Sequence, residues 1–162
     1  MSTKSRLVLV FMLLLVLALS GCAGAFVKSE VQSIASQNFT ATLGYVDGSE
    51  TGPQYNISMA VPEDWVDELE VENLGNVLNF RTPIGGDGAY VFSIEALSAE
   101  QYWQASGSFP ASQVNIVNLG DTFFVYHLPV DTFYSGLENV QFEALATAVP
   151  QVIASFAAEE AQ

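Results

Sequence analysis

The 162-residue sequence is poor in the residues that form disulfides, bind metals or contact phosphates. It contains one cysteine, one histidine and four Lys or Arg residues. A single cysteine excludes a disulfide within the chain, and zinc sites usually take several Cys or His ligands. The acidic residues match no calcium-loop pattern. We therefore expect no metal site and no other cofactor.

Basic residues become scarcer still after residue 21. Only Lys28 and Arg81 remain there, against all 18 acidic residues, so that part carries a formal charge of −16, two minus eighteen. Nucleic-acid binding depends on Lys and Arg contacts to phosphates, so we exclude a nucleic-acid partner. Anionic lipid headgroups would also repel this surface. The domain is therefore expected to stand away from the membrane.

What the sequence does contain at its start is a short apolar run. Lys4 and Arg6 precede 13 apolar residues at positions 7–19. A helix needs roughly 20 such residues to span a bilayer, so this run is too short. A basic start, a short apolar run and small residues after it are typical of a secretory signal.

The small residues end on the only cysteine. Leu19, Ser20, Gly21 and Cys22 resemble the lipobox of bacterial lipoproteins at all four positions. The resemblance implies cleavage between Gly21 and Cys22, a diacylglycerol on the sulfur, and a further acyl chain such as palmitate on the new amine. Two or three acyl chains anchor a protein durably, whereas one binds only marginally. A cleaved signal with an incidental cysteine and an uncleaved signal anchor are the alternatives.

These features predict four segments. Residues 1–21 are a lipoprotein signal peptide, residues 22–38 a lipidated tether, residues 39–158 a single acidic domain and residues 159–162 a tail. The protein is expected in the bacterial cell envelope, anchored on the extracytoplasmic side of the cell membrane. If a second membrane exists, the outer membrane is expected, because Ala23 differs from the Asp that resembles an inner-membrane retention signal.

Apolar residues alternate with period two from residue 39 onwards, which predicts strands. The predicted strands are 39–45, 55–61, 69–71, 77–80, 90–94, 114–119 and 123–128. The last of these is apolar at nearly every position, which is typical of a strand covered on both faces. Pro62 ends the second strand and starts a corner that returns Trp65 to the core.

Two helices are predicted. Ser98 and Gln101 fit a capping box that opens a short helix. Its Tyr102 and Trp103 are spaced as core residues, and a ligand groove lined by them is the alternative. A second capping box, at residues 135–138, precedes apolar residues that recur at helical spacing up to residue 156.

Pro150 lies inside the pattern of the second helix and should kink it or split it at Val149. The alternative makes residues 140–146 a strand and starts the helix at Pro150. With the longer helix, the fold class is α+β: an antiparallel sheet of about six or seven strands, covered by a short mid-chain helix and a C-terminal helix.

This order of elements resembles the PsbP-like superfamily. The resemblance rests on the corner at 61–65, with Pro62 and Trp65, on the strand at 89–94 and on the closing segment 152–156. It implies an antiparallel sheet sandwiched by helices, and an accessory or binding role instead of catalysis. It brings no catalytic or metal-binding residue set to this chain.

His127 is the one residue that invites a catalytic reading. A hydrolase could combine it with Ser135 or Ser155 and with Asp121, but no nucleophile elbow is present. The apolar strand around His127 favours a structural or interface histidine. We assign no catalytic residue.

The function predicted from the sequence is a non-enzymatic binding or accessory module for an envelope protein complex. The alternative is a carrier that holds a small apolar ligand between the sheet and the C-terminal helix. A hydrolase using His127 is a distant third.

The lipid anchor predicts the behaviour of a Cys22→Ala variant. Without the acylated sulfur, the chain has no basic patch and no long apolar run to hold it on a bilayer. We expect the variant to leave the membrane fraction in cell fractionation. A variant that stays in the membrane fraction as before would show that lipidation does not hold the protein there.

Overall fold

The computed structural model describes residues 29–83, 89–108, 113–129 and 136–162. Gly21, Cys22 and the rest of the predicted signal lie outside the described residues. The strands, in chain order, are β1 (Glu30–Ser33), β2 (Asn38–Leu43), β3 (Val46–Asp47), β4 (Glu50–Thr51), β5 (Tyr55–Ala60), β6 (Glu70–Asn73), β7 (Val77–Thr82), β8 (Ala89–Ser98), β9 (Val114–Leu119), β10 (Thr122–His127) and β11 (Ala157–Glu160). The helices are α1 (Ala99–Ser108) and α2 (Asn139–Ala154).

A six-stranded antiparallel sheet dominates the fold, with the spatial order β1-β6-β7-β8-β10-β9. Strand β8 is ten residues long and pairs with β7 and β10 at its centre. The predicted α+β class is confirmed, and each of the seven predicted strands is present. The strands do not share one sheet, because β2 and β5 pair with β11 in a separate three-stranded sheet.

The main core lies between these two sheets. Alternate residues of β5 are buried, which places Tyr55, Ile57 and Met59 inward. Three aromatic rings pack at the centre of this core. Phe80 and Phe92 stack at 4.1 Å between ring centroids, and Phe39 meets Phe80 edge-on at 5.4 Å. Such pairs stabilise beyond the area that they bury.

The corner predicted after β5 is a short 3₁₀ turn at Glu63–Trp65. Its Trp65 is 1% exposed and lies 5.9 Å from Phe92. Pro62 precedes the turn and its carbonyl accepts a hydrogen bond from the Trp65 amide at 3.1 Å. The prediction that this tryptophan returns to the core is confirmed.

The two faces of the large sheet pack against different elements of the domain. Neighbouring residues of β10 point to opposite faces, as in any strand. Phe123 packs against Tyr102 of α1, whereas Phe124 packs against Tyr55 and Phe156. Helix α1 therefore covers one face, and the small sheet and the end of α2 cover the other.

The capping box of α1 forms as predicted. The Ser98 hydroxyl accepts from the Gln101 amide at 3.1 Å, and the Gln101 side chain accepts from the Ser98 amide at 2.9 Å. Two amides that the first turn would leave without partners are thereby satisfied.

Helix α2 runs without interruption through Pro150, so the predicted split at Val149 and the alternative strand at 140–146 are both wrong. Pro150 lies on the exposed side, while Val149 and Val152 are buried. Helix α2 begins at Asn139 with Glu138 at the N-cap, later than the capping box at 135–138 predicted, and Glu138 makes no side-chain capping bond there. Ser135 lies outside the described residues, so its own bonds stay a prediction.

The ordered domain extends beyond the segment 39–158 at both ends. Residues 30–33, placed in the tether by the sequence, pair with β6, and Ile34 is 1% exposed. The Ile34 amide donates to Leu69 at 3.0 Å, and its carbonyl accepts from Asp67 at 2.9 Å. At the other end, β11 includes residues 159 and 160 of the predicted tail. Neither stretch has enough alternating apolar residues to signal a strand.

The buried position of Ile34 can be tested by comparison with its neighbour Val31, which is 59% exposed. Ile34→Ala should lower the free energy of unfolding by about 2–5 kcal/mol, because it leaves a cavity in a packed core. Val31→Ala should change it by less than about 0.5 kcal/mol. Urea unfolding measures both, and equal effects would contradict the placement of Ile34.

Candidate functional site

The only histidine lies at the end of a row of polar residues that crosses four strands of the large sheet. Strand register places Glu72 of β6 opposite Asn79 of β7, Asn79 opposite Ser93 of β8, and Ser93 opposite His127 of β10. Because the row passes through directly paired residues, the four side chains share one face. That face is the one that α1 covers further along, at Phe123.

At the β10 end of the row, His127 pairs with a carboxylate that lies beside the row, that of Glu95 on β8. His127 Nε2 lies 3.1 Å from Glu95 Oε2, and both side chains are about one quarter exposed. The Tyr90 hydroxyl lies 2.9 Å from the Ser93 hydroxyl. Burial raises the pKa of Tyr90 above its usual value; the hydrogen bond to Ser93 opposes this shift and the nearby Glu95 charge adds to it. Tyr90 is therefore a neutral phenol at physiological pH.

The residue at the β6 end of the row is Glu72, and hydrogen-bond donors surround its carboxylate. Ser29 donates to Glu72 at 2.9 Å, Asn79 donates at 3.3 Å, and Arg81 Nη2 lies at 2.8 Å. The Ser29 hydrogen bond lowers the pKa of Glu72 most; burial opposes the shift, and Asn79 and the Arg81 charge add to the lowering. The charge of Glu72 is thus balanced within the sheet, which fits a role in holding β1, β6 and β7 together.

Among the described residues, those suggested as partners of His127 in a hydrolase do not lie beside it. Asp121 precedes the first residue of β10 and His127 is its last, a separation of about 20 Å along the strand. The Ser155 hydroxyl donates to the Val152 carbonyl at 2.7 Å and accepts from the Ala60 amide at 2.8 Å. Ser135 lies outside the described residues. Glu95, which the sequence did not suggest, is the acid beside His127.

Acidic residues are frequent but dispersed. Among the described residues, no group of three or more His, Cys, Asp or Glu side chains is placed so that it could hold a metal ion. Within the same residues, no helix has the length and apolar character needed to cross a membrane.

A carrier would need free space between the sheet and α2, and the described residues there are packed. Val149 and Val152 are 0% and 1% exposed, and Phe156 lies 5.4 Å from Phe124. An open groove of about 560 Å³ lies elsewhere, on the solvent side of the small sheet. Its lining is mixed and so differs from the predominantly apolar walls of ligand pockets: Thr40, Thr42, Asn56, Ser58 and Glu159 are polar, and Ala41, Ile57 and Ala157 are apolar.

The feature that the sequence missed is an aromatic patch formed by Tyr102 and Trp103 of α1 with Phe123 of β10. Tyr102 stacks on Phe123 at 4.4 Å, and Trp103 lies edge-on to Tyr102 at 5.1 Å and to Phe123 at 6.3 Å. Trp103 is nevertheless 66% exposed. The prediction that Trp103 is a core residue is wrong, because adjacent helical positions cannot both face the sheet and Tyr102 takes the inner one.

Comparison with known proteins adds no relative. No protein-family model, no curated protein and no solved structure matches the chain. The resemblance to the PsbP-like superfamily stays a prediction.

The donors around Glu72 predict a pH-dependent contribution to stability. Since its pKa is lower in the folded protein than in the unfolded chain, its contribution is present above the unfolded pKa, about 4.3, and is lost as pH falls through the folded pKa. Glu72→Gln should therefore lower the free energy of unfolding more at pH 7 than at pH 3. Urea unfolding at both pH values measures the difference.

The exposed Glu143 on α2 provides the matched control. Glu143→Gln removes the same charge away from the β6 network and should leave stability nearly unchanged at either pH. A Glu72→Gln effect of equal size at both pH values would contradict the proposed role of this carboxylate.

Proposed function

We propose that this protein is a lipid-anchored extracytoplasmic lipoprotein that acts as a non-enzymatic binding module for another protein of the bacterial envelope. The anchor is the lipid on Cys22, and residues 22–29 serve as the link to the domain. The observation that carries the binding role is the exposure of Trp103 on an ordered aromatic patch.

Exposure of a tryptophan to water is unfavourable, because burial of its large ring would lower the free energy of the protein. Tryptophan and tyrosine are also the residues that most often dominate the energy of protein interfaces. Trp103 is therefore a candidate anchor for a partner that would cover it.

Contacts within the domain hold the base of the patch in place, and a preformed surface binds at a lower entropic cost. Tyr102 is held by its stack on Phe123, and the first turn of α1 is fixed by the Ser98–Gln101 capping box. The Gln101 side chain additionally donates to the Val46 carbonyl at 2.8 Å, which ties α1 to β3. A preformed surface of this kind suits recognition without rearrangement.

A photo-reactive amino acid at position 103 tests this function in intact cells. We expect a crosslinked adduct with a specific envelope protein, because the side chain would lie in the interface. The same amino acid at position 140 is the control, since Val140 is 79% exposed and lies on α2, outside the patch. Adducts that are absent at 103, or identical at both positions, would contradict a binding role for the patch.

A further inference from the structure

We propose that the aromatic patch binds a Lys or Arg side chain in a basic segment of the envelope partner. This inference rests on the proposed function and adds the chemistry of the partner. It follows from the combination of an exposed indole, flanking carboxylates and a scarcity of basic residues in the domain itself.

Two exposed acids flank the patch. Glu100 precedes Trp103 by three residues on α1, so both lie on the same side of the helix. The Gln104 side chain donates to Glu100 at 2.9 Å and holds the carboxylate on that surface. Asp121 precedes Phe123 by two residues, a distance of about 7 Å along the chain. Both positions add negative charge near the patch, which favours a bound cation.

The indole is the aromatic ring that attracts cations most strongly. A guanidinium or ammonium within about 6 Å of a tryptophan face gains about 0.5–2 kcal/mol, and more as the site is desolvated. Tyr102 and Phe123 cover each other by stacking, which leaves Trp103 as the accessible ring. Uncharged apolar partners would bury the indole equally well, but they would leave the two carboxylates without compensation.

The described part of the domain supplies no cation of its own to this position. Arg81 is the only Lys or Arg among the described residues, and its guanidinium lies 2.8 Å from Glu72 on β6. The patch lies instead on α1 and β10. Among the described residues no Lys or Arg is shown at the patch, and we infer that the partner supplies the complementary charge.

A membrane surface is the competing occupant, because tryptophan is common at bilayer interfaces. The charge argues against it: 18 acids with two basic residues after position 21 would be repelled by anionic headgroups. The same charge attracts a basic protein segment and speeds its encounter. Binding of the patch to anionic vesicles would show that a membrane surface, and not a protein segment, covers Trp103.

The test uses the full lipidated chain in a neutral detergent and a fluorescent peptide of alternating Arg and Gly as the probe. Anisotropy should show binding that weakens with salt. Trp103→Ala should lower the affinity about three- to thirtyfold, the range expected for a cation–π contact, and Trp103→Phe should restore part of it. Val140→Ala, which removes another exposed apolar side chain, should leave the affinity unchanged.

A second pair of variants separates a local effect from the overall charge. Glu100→Gln with Asp121→Asn removes two charges at the patch, and Glu159→Gln with Glu160→Gln removes two exposed charges on β11. Only the first pair should weaken binding markedly. Equal losses from both pairs, or a Trp103→Ala protein that binds the peptide as the parent does, would overturn the inference.

Vesicles show whether a membrane or a basic protein segment occupies the patch. The crosslink shows whether the proposed function and the inference fail together or separately. If phosphatidylglycerol vesicles change the tryptophan fluorescence of the parent but not of the Trp103→Phe protein, while the peptide changes neither, the patch is a membrane contact and the inference is wrong. If position 103 crosslinks to an envelope protein through a segment without Lys or Arg, the proposed function stands and the inference fails. If neither crosslink nor peptide binding depends on position 103, both fail.

Discussion

The stack of Phe80 on Phe92 forms the centre of the packing between the six-stranded and the three-stranded sheets, because Phe39 of the smaller sheet meets it edge-on. The rings belong to neighbouring strands of the large sheet, with 4.1 Å between centroids and 12° between planes. Phe39 of the small sheet and Trp65 of the corner meet the same pair. With one cysteine in the sequence, no internal disulfide can substitute for this packing. The small sheet is therefore held to the large one mainly by apolar burial.

This packing assigns separate roles to the two faces of the large sheet. The face of Phe124 joins the main core together with α2 and the small sheet. The opposite face carries the polar row from Glu72 to His127 and, beyond it, the aromatic patch under α1. Trp103 lies outside the main core and stays exposed on the outer side of α1. The hydrogen bonds around Glu72 instead hold the β1 side of the same face.

Most of the fold was readable from the sequence because its signals are local. Alternating apolar residues located seven strands, Ser98 and Gln101 marked the start of α1, and Pro62 with Trp65 marked the corner. The errors arise where contacts between distant segments override the local pattern. Helix α2 continues through Pro150 instead of splitting at Val149, and the burial of Val149 and Val152 on either side of Pro150 offsets the hydrogen bond that proline cannot donate. Strands β1 and β11 consist mainly of polar or small residues, and they exist because β6 and β5 offer edges to pair with.

The two tryptophans separate what the sequence determined from what only the tertiary structure decided. The residues around Trp65 predicted its burial, because a proline corner and the strands beside it are encoded within a few positions. The residues around Trp103 predicted that it is buried too, and this prediction was wrong. Its exposure depends on which side of α1 meets Phe123. The partner of His127 was equally hidden: Glu95 is 32 residues away and comes alongside only through the register of β8 and β10. Short-range patterns specify elements, whereas the packing of distant segments decides which side chains meet and which remain in water.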